Sequence, residues 1–199
     1  MHNYSILCAG IYNDNKENSP PLTINPSVCY LENVGTITFG GKDIATNKLN
    51  NNMYILNNHS LEWQRIVYKV LYNKPDKRYG ALIACYNNYI ILFGGKNESD
   101  KALNDLWVFD YEHLQWHLID EKNSINIPSE RFTPSYTILE NKEYLIMFGG
   151  TDDSNLYMMN LNLIPEVINQ DKESKLYVQN ISSLWKSVAL CNIILLNQI

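Results

Sequence analysis

One double-glycine step recurs three times in the sequence at nearly constant spacing, and it constrains the fold more than any other feature. A phenylalanine precedes each pair, at Phe39-Gly40-Gly41, Phe93-Gly94-Gly95 and Phe148-Gly149-Gly150. The glycine pairs are 54 and 55 residues apart. A fixed period of this length indicates a repeat architecture, in which each repeat is one supersecondary unit.

Aromatic, proline and arginine positions share the same period. In two successive copies an aromatic residue is followed nine residues later by tryptophan, twelve further on by proline and three after that by arginine. These positions are Tyr54, Trp63, Pro75 and Arg78 in one copy, and Trp107, Trp116, Pro128 and Arg131 in the next. Several independent spacings agree, so the repeat is not a chance pattern.

The stretch 75–118 is the most complete copy and predicts four short strands. Tyr89 to Phe93 is a continuous apolar run, which predicts a strand with both faces buried. The two glycines that follow permit positive φ and a tight exit from that strand. Tyr111 to Gln115 is expected to form a hairpin turn between two further strands. In the next copy the runs 144–148 and 156–159 predict equivalent strands.

These residues resemble the kelch repeat. The matching positions are the glycine pairs, the steps Asp105-Leu106-Trp107 and Asn155-Leu156-Tyr157, and the tryptophans Trp63 and Trp116, between about Pro20 and Asn162. The resemblance implies a β-propeller in which each repeat forms one four-stranded blade and the double glycine ends the second strand. It also implies that loops between strands bind proteins.

The predicted fold is therefore all-β, a kelch-type propeller segment with three recognisable four-stranded blades in a single domain over 1–199. The blade-like repeats are expected at about 20–66, 75–118 and 128–188, with an extra strand in 1–12. Pro165 and the polar run 169–175 are interpreted as an insertion, after which Trp185 supplies the final-strand tryptophan of the third blade. Propellers have four to eight blades, so this chain alone is expected to form an incomplete ring.

Composition excludes some partners and suggests a compartment. The formal net charge of −5 argues against nucleic-acid and anionic-membrane surfaces, which require clustered Lys and Arg. The four cysteines, Cys8, Cys29, Cys85 and Cys191, are scattered without a CxxC pair and are expected to be buried free thiols in a reducing compartment. No apolar run is long enough to cross a bilayer. The sequence therefore predicts a cytoplasmic protein.

Arg78 and Arg131 are the candidate partner-binding residues. In kelch propellers the matching arginine can point toward the mouth of the ring, and a guanidinium grips carboxylates in two-point fashion. The alternative is that each arginine pairs with a carboxylate or carbonyl inside the scaffold. In the first repeat Ile24 is assigned to the arginine position. Lys42 and Lys96, which follow glycine pairs, are expected to be solvated loop lysines.

No pattern of residues predicts catalysis, a metal or a cofactor. His113 and His117 have a spacing that suits metal ligands on a helix, but they fall in a predicted hairpin without a third ligand. Asp152 and Asp153 lack the alternating oxygen ligands of a calcium loop. The sequence contains no GxSxG, HExxH or phosphate-loop spacing.

The function predicted first is a non-catalytic adaptor, which presents its loops, 46–52 and 96–102 among them, to a protein partner of unknown identity. Two alternatives stay open. The chain could be the regulatory propeller segment of a larger enzyme, such as a kelch-containing serine/threonine phosphatase, or of a ubiquitin-ligase adaptor. It could also be a structural protein that self-associates through its open blade edges.

Overall fold

A computed structural model describes residues 18–68, 73–119, 127–139, 141, 143–151, 155–173 and 184–188 of the chain. Antiparallel strands dominate this part of the chain, in three four-stranded sheets and one two-stranded sheet. The predicted all-β fold with three four-stranded blades is confirmed. The extra strand expected in 1–12 lies outside the described residues.

The three blades follow one another along the chain. Blade 1 contains β2 (Ser27–Leu31), β3 (Gly35–Phe39), β5 (Met53–Asn57) and β6 (Trp63–Ile66). Blade 2 contains β7 (Leu82–Tyr86), β8 (Tyr89–Phe93), β9 (Leu106–Asp110) and β10 (Gln115–Ile119). Blade 3 contains β11 (Ser135–Ile138), β12 (Tyr144–Phe148), β13 (Leu156–Asn160) and β14 (Trp185–Val188). A short ladder beside blade 1 pairs β1 (Thr23–Ile24) with β4 (Lys42–Asp43).

The register of the last two strands is the same in all three blades. Trp63 pairs with Leu56, Trp116 with Phe109, and Trp185 with Met159, which are equivalent positions of the third strands. The assignment of Trp185 to the end of the third blade is thereby confirmed, although a long connection separates it from β13.

Two hydrophobic cores lie between consecutive blades. The side chains of β8 alternate between them, because successive residues of a strand point to opposite faces. Ile90 and Leu92 belong to the core between blades 1 and 2, and Ile91 and Phe93 to the core between blades 2 and 3. All four side chains are 0% exposed. The expectation that this strand is buried on both faces is confirmed.

The arc does not close on itself within the described residues. The first strands β2 and β7 pack side by side, but none of the described strand pairings returns from blade 3 to blade 1. The incomplete ring expected from the chain length is what the structure shows.

Among the described residues, one helix interrupts the all-β pattern, and it overlaps the segment interpreted as an insertion, Pro165 and the run 169–175. A 3₁₀ turn, Leu161–Leu163, leads into helix α1, Ile164–Glu173. Pro165 falls in the first helical turn, where its missing N–H costs no hydrogen bond. Leu161, Ile164 and Ile168 are spaced for one helical face and are buried in the core beside blade 3. This apolar spacing was the signal for a helix.

The expectation of free thiols is wrong for two of the four cysteines. Cys29 of β2 and Cys85 of β7 form a disulfide, with Cα atoms 6.0 Å apart and a sequence separation of 56. This separation is close to one repeat, so the two residues occupy neighbouring places on the first strands of consecutive blades. Cys8 and Cys191 lie outside the described residues. The cytoplasmic location relied in part on free thiols, and it stays a prediction.

Candidate functional site

The blades have two ends with different kinds of connection. The loop face carries the longer connections, which follow the double glycines or join one blade to the next; it comprises residues 40–52, 73–81, 94–105, 127–134 and 149–151. The hairpin face carries the turns between the first and second strands and between the third and fourth strands, together with the helix; it comprises residues 32–34, 58–62, 87–88, 111–114, 139, 141, 143 and 161–168. The predicted site residues Arg78 and Arg131 lie on the loop face.

The double glycines hold consecutive blades together through the backbone. Gly41 N donates to Arg78 O at 2.9 Å, and Gly95 N donates to Arg131 O at 2.8 Å. Gly40 and Gly94 have φ of 66° and 67°. A Cβ atom on Gly40 would lie 2.5 Å from Arg78 O, and one on Gly94 would lie 2.8 Å from Arg131 O. Glycine is therefore required by both the backbone conformation and the close approach of the next blade.

Arg78 is a scaffold residue in the structure. Its side chain is 1% exposed, and its Nη1 and Nη2 atoms donate to the two carboxylate oxygens of Asp105 at 2.6 and 2.8 Å. Nη1 also donates to Gly94 O at 3.0 Å, and Nε donates to Asp76 O at 3.0 Å. The guanidinium is fully engaged by the loop that it supports, so it offers no surface to a partner.

Arg131 occupies the equivalent position at the start of blade 3 and is also buried, at 0% exposure. Its Nη1 donates to Gly149 O at 2.8 Å, and its guanidinium carbon lies 4.6 Å from the ring centroid of Tyr157. Of the two roles weighed for these arginines, the geometry supports the scaffold role. Direct contact with a partner would require both side chains to leave their buried positions.

Backbone pairing shows that the arginine position of the first repeat lies one residue earlier in the sequence than was assigned. Tyr79 bridges to Lys96, which follows a glycine pair, and Ile24 pairs with Lys42 in the same way. Ile24 is therefore equivalent to Tyr79, and the buried Thr23 stands at the arginine position. The sequence assignment of Ile24 to that position is wrong. The first repeat has no arginine at this position, so no shared residue type fixed the alignment there.

A small polar cluster on the loop face was not predicted. The Tyr79 hydroxyl donates to Asp100, and Lys96 Nζ donates to the same carboxylate at 3.1 Å. Lys96 also lies 5.0 Å from the ring centroid of Phe132, so it is not the freely solvated lysine that was expected. Burial, together with the hydrogen bond and charge of Asp100, raises the pKa of Tyr79 to about 12. The hydrogen bonds from Tyr79 and Lys96 lower the pKa of Asp100.

This cluster forms one wall of a cleft between blades 1 and 2. The cleft has a volume of about 400 Å³ and is bounded by the loop 42–49 of blade 1 and the loop 97–100 of blade 2. Lys42 and Lys48 line the blade 1 side. Neither ammonium group takes part in an ion pair with another described residue. The cleft therefore presents two positive charges beside a hydrogen-bonded wall. The same lining contains the carboxylates of Glu98 and Asp100, which form ion pairs with Lys77 and Lys96.

The remaining motif residues are structural in position. Tyr54, Trp107, Trp116 and Tyr157 are 3–7% exposed, and Trp63 is partly buried. The ring centroids of Trp107 and Trp116 are 6.4 Å apart.

The other candidate ligands do not assemble into a site. His113 lies in the β9–β10 turn with its Nδ1 atom 2.7 Å from Asp110 Oδ2, whereas His117 is buried in β10. No group of three or more metal-ligating side chains occurs among the residues that the structure describes. Asp152 and Asp153 lie outside those residues. Within the same described ranges, no helix has the length and apolar character to cross a bilayer.

Sequence reasoning found the arginines but missed the cleft. Lys42, Lys96 and Tyr79 were visible as residues adjacent to the repeat motif, but their grouping depends on loops from two blades. Of these residues, Tyr79 differs from its equivalents in the other repeats. Tyr79 carries a hydroxyl group, whereas the equivalent residues, Ile24 and Phe132, do not.

Comparison with known proteins supports the architecture. The family described as the KLHDC2/KLHL20/DRC7 Kelch-repeats domain matches residues 13–165. Protein ral2 of Schizosaccharomyces pombe is 27% identical over 189 residues, which cover 82% of this chain and 30% of that protein. A probable serine/threonine-protein kinase of Dictyostelium discoideum is 33% identical over 141 residues, covering 68% of this chain and 10% of that protein.

A third relative, kelch-like protein 41b of Danio rerio, is 25% identical over 142 residues, which cover 69% of this chain and 21% of that protein. The chain spans less than a third of the length of each of these relatives. The family match covers more than half of the chain and includes all three double glycines. The chain belongs to the kelch-repeat family.

Proposed function

We propose that this chain is a non-catalytic adaptor that binds a protein partner on its loop face. Kelch-repeat domains are protein-interaction modules, and the cleft between blades 1 and 2 is the observation that carries the proposal. Its walls are loops from two blades, and backbone hydrogen bonds between the double glycine and the next blade fix their spacing. A preorganised surface loses little conformational entropy on binding.

The cleft favours a partner with acidic side chains. Lys42 and Lys48 supply positive charge, and the two carboxylates in the same lining, Glu98 and Asp100, are paired with lysines of blade 2 or its leading loop. Arg78 and Arg131 act indirectly in this proposal, because they hold the loops rather than contact the partner. Complementary charge contributes to association rate and specificity more than to affinity alone.

Site-specific photo-crosslinking followed by affinity measurement tests the proposal. A photoreactive phenylalanine analogue at Thr46, an exposed loop-face position, is expected to trap a protein partner that the same analogue at Gln64 on the outer strand does not trap. With that partner purified, Lys48→Glu should raise the Kd by about five- to tenfold. Lys186→Glu, the same charge reversal on exposed β14, should leave the Kd within about twofold. Crosslinking from Gln64 alone, or equal effects of the two variants, would contradict the loop-face assignment.

A second candidate is a regulatory propeller segment within a longer enzyme. The names of two partly matched relatives favour it: the probable serine/threonine-protein kinase and a Rho GTPase-activating protein, both of Dictyostelium discoideum. Sequencing of the full transcript decides between the two. A catalytic domain in the same reading frame would support the regulatory segment, and its absence would leave the adaptor.

A third candidate is self-association through the outer face of blade 3. On this face Phe148 is 45% exposed, and Ile146 and Met158 are partly exposed, so apolar surface is available to a second copy. Light scattering after size-exclusion chromatography tests this candidate. A mass near twice 23.1 kDa would support a dimer, and a strict monomer over a wide concentration range would exclude it.

A further inference from the structure

The hairpin face carries a one-sided distribution of charge. Its turns and helix expose five glutamates, whereas the described side chains of the same segments include no lysine or arginine. The five are Glu32, Glu62, Glu112, Glu143 and Glu166. Lys142 and the partly described end of the helix lie outside the described side chains. The loop face differs, because positive and negative side chains alternate there, as in the Lys77–Glu98 and Lys96–Asp100 pairs.

Contacts between turns place these glutamates on one surface. The β2–β3, β7–β8 and β11–β12 turns line a common cavity, so the first hairpins of all three blades end together. The helical connection joins the same surface, because Leu161 N donates to Glu143 O at 2.8 Å and the Tyr86 hydroxyl donates to Asn162 Oδ1 at 2.7 Å. Glu32 therefore lies at the cavity and Glu143 in the neighbouring β11–β12 turn, while Glu62 and Glu112 lie on the same face at the turns of the outer strands.

The cavity at the centre of this surface has a volume of about 600 Å³. Its lining residues include Tyr30, Tyr86, Leu139 and Glu32. Tyr30 is 58% exposed, and its hydroxyl accepts a hydrogen bond from Asn58 Nδ2 at 2.9 Å, which fixes the ring at the opening. The volume lies within the usual range for a binding pocket, about 300–1,000 Å³.

We propose that the hairpin face is a second binding surface, which takes a basic, arginine- or lysine-containing segment of a protein partner. It lies at the opposite end of the blades from the loop-face cleft and does not depend on the function proposed there. Charge complementarity selects the occupant, because the hairpin face exposes five glutamates and its described side chains include no lysine or arginine. The same field repels nucleic acid and anionic lipid.

The chemistry of the cavity matches a guanidinium better than a simple apolar group. A cation over the face of Tyr30 or Tyr86 gains a cation–π interaction, and Arg makes such contacts more often than Lys. A carboxylate accepts the planar fork of an arginine in a bidentate arrangement, and the exposed glutamates of the hairpin face supply such carboxylates. The exposed side chain of Leu139 can contact the methylene groups of the same side chain. The surrounding glutamates accelerate encounter with a basic segment through long-range attraction.

The direct test is a binding measurement on the full chain with a fluorescein-labelled octapeptide of alternating arginine and serine, followed by fluorescence anisotropy at 50 mM salt. A triple variant, Glu32→Gln, Glu112→Gln and Glu143→Gln, removes three charges from the hairpin face. The matched control, Asp76→Asn, Glu98→Gln and Glu130→Gln, removes three exposed charges from the loop face and gives the same net charge. The first variant is expected to weaken binding about tenfold and the control less than about twofold.

A second variant tests the cavity itself. Tyr30→Leu keeps an apolar side chain but removes the aromatic face, and it is expected to weaken binding about threefold without a change in net charge. Equal weakening by the two triple variants would show attraction to net charge alone and would overturn the proposal. The same conclusion would follow if the wild-type chain failed to bind the arginine peptide, bound an octapeptide of alternating glutamate and serine equally well, or lost the arginine peptide to an equal concentration of spermine.

Discussion

Blades 2 and 3 carry the same sequence motif but differ in how much of it is buried. In blade 2 every residue of β9 is buried, and four of the five residues of β8 are 0% exposed. In blade 3 the equivalent strands β12 and β13 alternate between buried and partly exposed side chains. Blade 2 has a neighbour on each face, whereas the described structure covers blade 3 on one face. Burial in a repeat is therefore set by the neighbouring repeats rather than by the repeat itself.

The first strands show the same contrast. Leu82, Ile83 and Ala84 of β7 are at most 2% exposed. One face of β7 packs against β2 of blade 1, and the other face belongs to the core between blades 2 and 3. Ser135, Tyr136 and Thr137 of β11 are exposed. The sequences agree with this difference, since β7 is apolar and β11 carries hydroxyl groups.

The largest expected effect comes from the phenylalanines that precede the double glycines. Phe93 is 0% exposed and lies 5.4 Å, centroid to centroid, from Trp185, whereas Phe148 is 45% exposed. Phe93→Ala should lower the free energy of unfolding by about 3 to 5 kcal/mol, because it leaves a cavity between blades 2 and 3. Phe148→Ala should change it by about 0.5 kcal/mol or less.

Urea denaturation of both variants measures this difference. A loss above about 2 kcal/mol in Phe148→Ala would mean that another surface covers the outer face of blade 3 in solution. That result would contradict the difference in burial between blades 2 and 3 and would favour self-association.

The next effect concerns the disulfide, which links blades 1 and 2 and has no counterpart among the described residues of blades 2 and 3. A cross-link between residues 56 apart restricts a long loop of the unfolded chain, so its removal is expected to cost about 2 to 4 kcal/mol. The double variant Cys29→Ser and Cys85→Ser should therefore unfold at lower urea concentration than the oxidised wild type. Dithiothreitol should lower the wild-type midpoint in the same direction and leave the double variant unchanged.

The redox state of the two cysteines in cells tests the predicted location. Free thiols are alkylated in the cells before lysis, and mass spectrometry then measures the fraction of the protein that contains the disulfide. A cytoplasmic protein is expected to keep both thiols reduced. A quantitative disulfide in such a sample would contradict the cytoplasmic prediction.

The ion pair between Arg78 and Asp105 in blade 2 is expected to contribute less to stability than the disulfide. Arg78 pairs with the carboxylate of Asp105, whose side chain is 30% exposed, whereas the residue of blade 3 equivalent to Asp105 is Asn155. Arg78→Gln should cost about 2 kcal/mol, less than the 3 to 5 kcal/mol of a fully buried pair, because water screens part of the carboxylate charge. The double variant Arg78→Gln and Asp105→Asn should recover part of the loss in thermal denaturation. No recovery would show that the carbonyl hydrogen bonds of Arg78, rather than the ion pair, hold the loop.

The repeat architecture was predictable because it rests on positions with strict local requirements. The double glycines need positive φ and close approach, and the tryptophans have one register in every blade, so both leave a periodic signal. The helix at Ile164–Glu173 broke the period and was missed, although Ile164, Val167 and Ile168 had helical spacing. The Cys29–Cys85 pair was missed because its partners meet only when two blades pack.

The site was less predictable than the fold for the same reason. Arg78 and Arg131 were found by their period, but sequence does not show which way a guanidinium points, and burial decides its role. The cleft and the acidic face each gather residues from two or three blades. Their members share no motif, because a binding surface depends on position across blades and not on the repeat that builds each one.

The smallest expected effect is the pH dependence of stability that arises from Tyr79, in the loop that leads into blade 2. Tyr79 has Ile24 and Phe132 as equivalents, so only this position of the three carries a hydroxyl. Burial and the adjacent Asp100 raise the pKa of Tyr79 from 10.0 to about 12. Because the pKa is higher in the folded than in the unfolded chain, the neutral ring favours folding. This contribution is complete below pH 10 and is lost as the pH rises toward 12.

Carbon-13 NMR of labelled tyrosine measures this pKa directly, with Tyr79→Phe to assign the signal. Asp100→Asn should move the pKa of Tyr79 back toward 10.0, because it removes the negative charge beside the hydroxyl. The free energy of unfolding of Tyr79→Phe should also fall less steeply than that of the wild type between pH 10 and 12. A wild-type signal that titrates near pH 10, unchanged by Asp100→Asn, would mean that the 97–100 loop does not hold its wall of the cleft in solution. The loop-face proposal would then lose the preorganised surface on which it depends, whereas the acidic hairpin face would be unaffected.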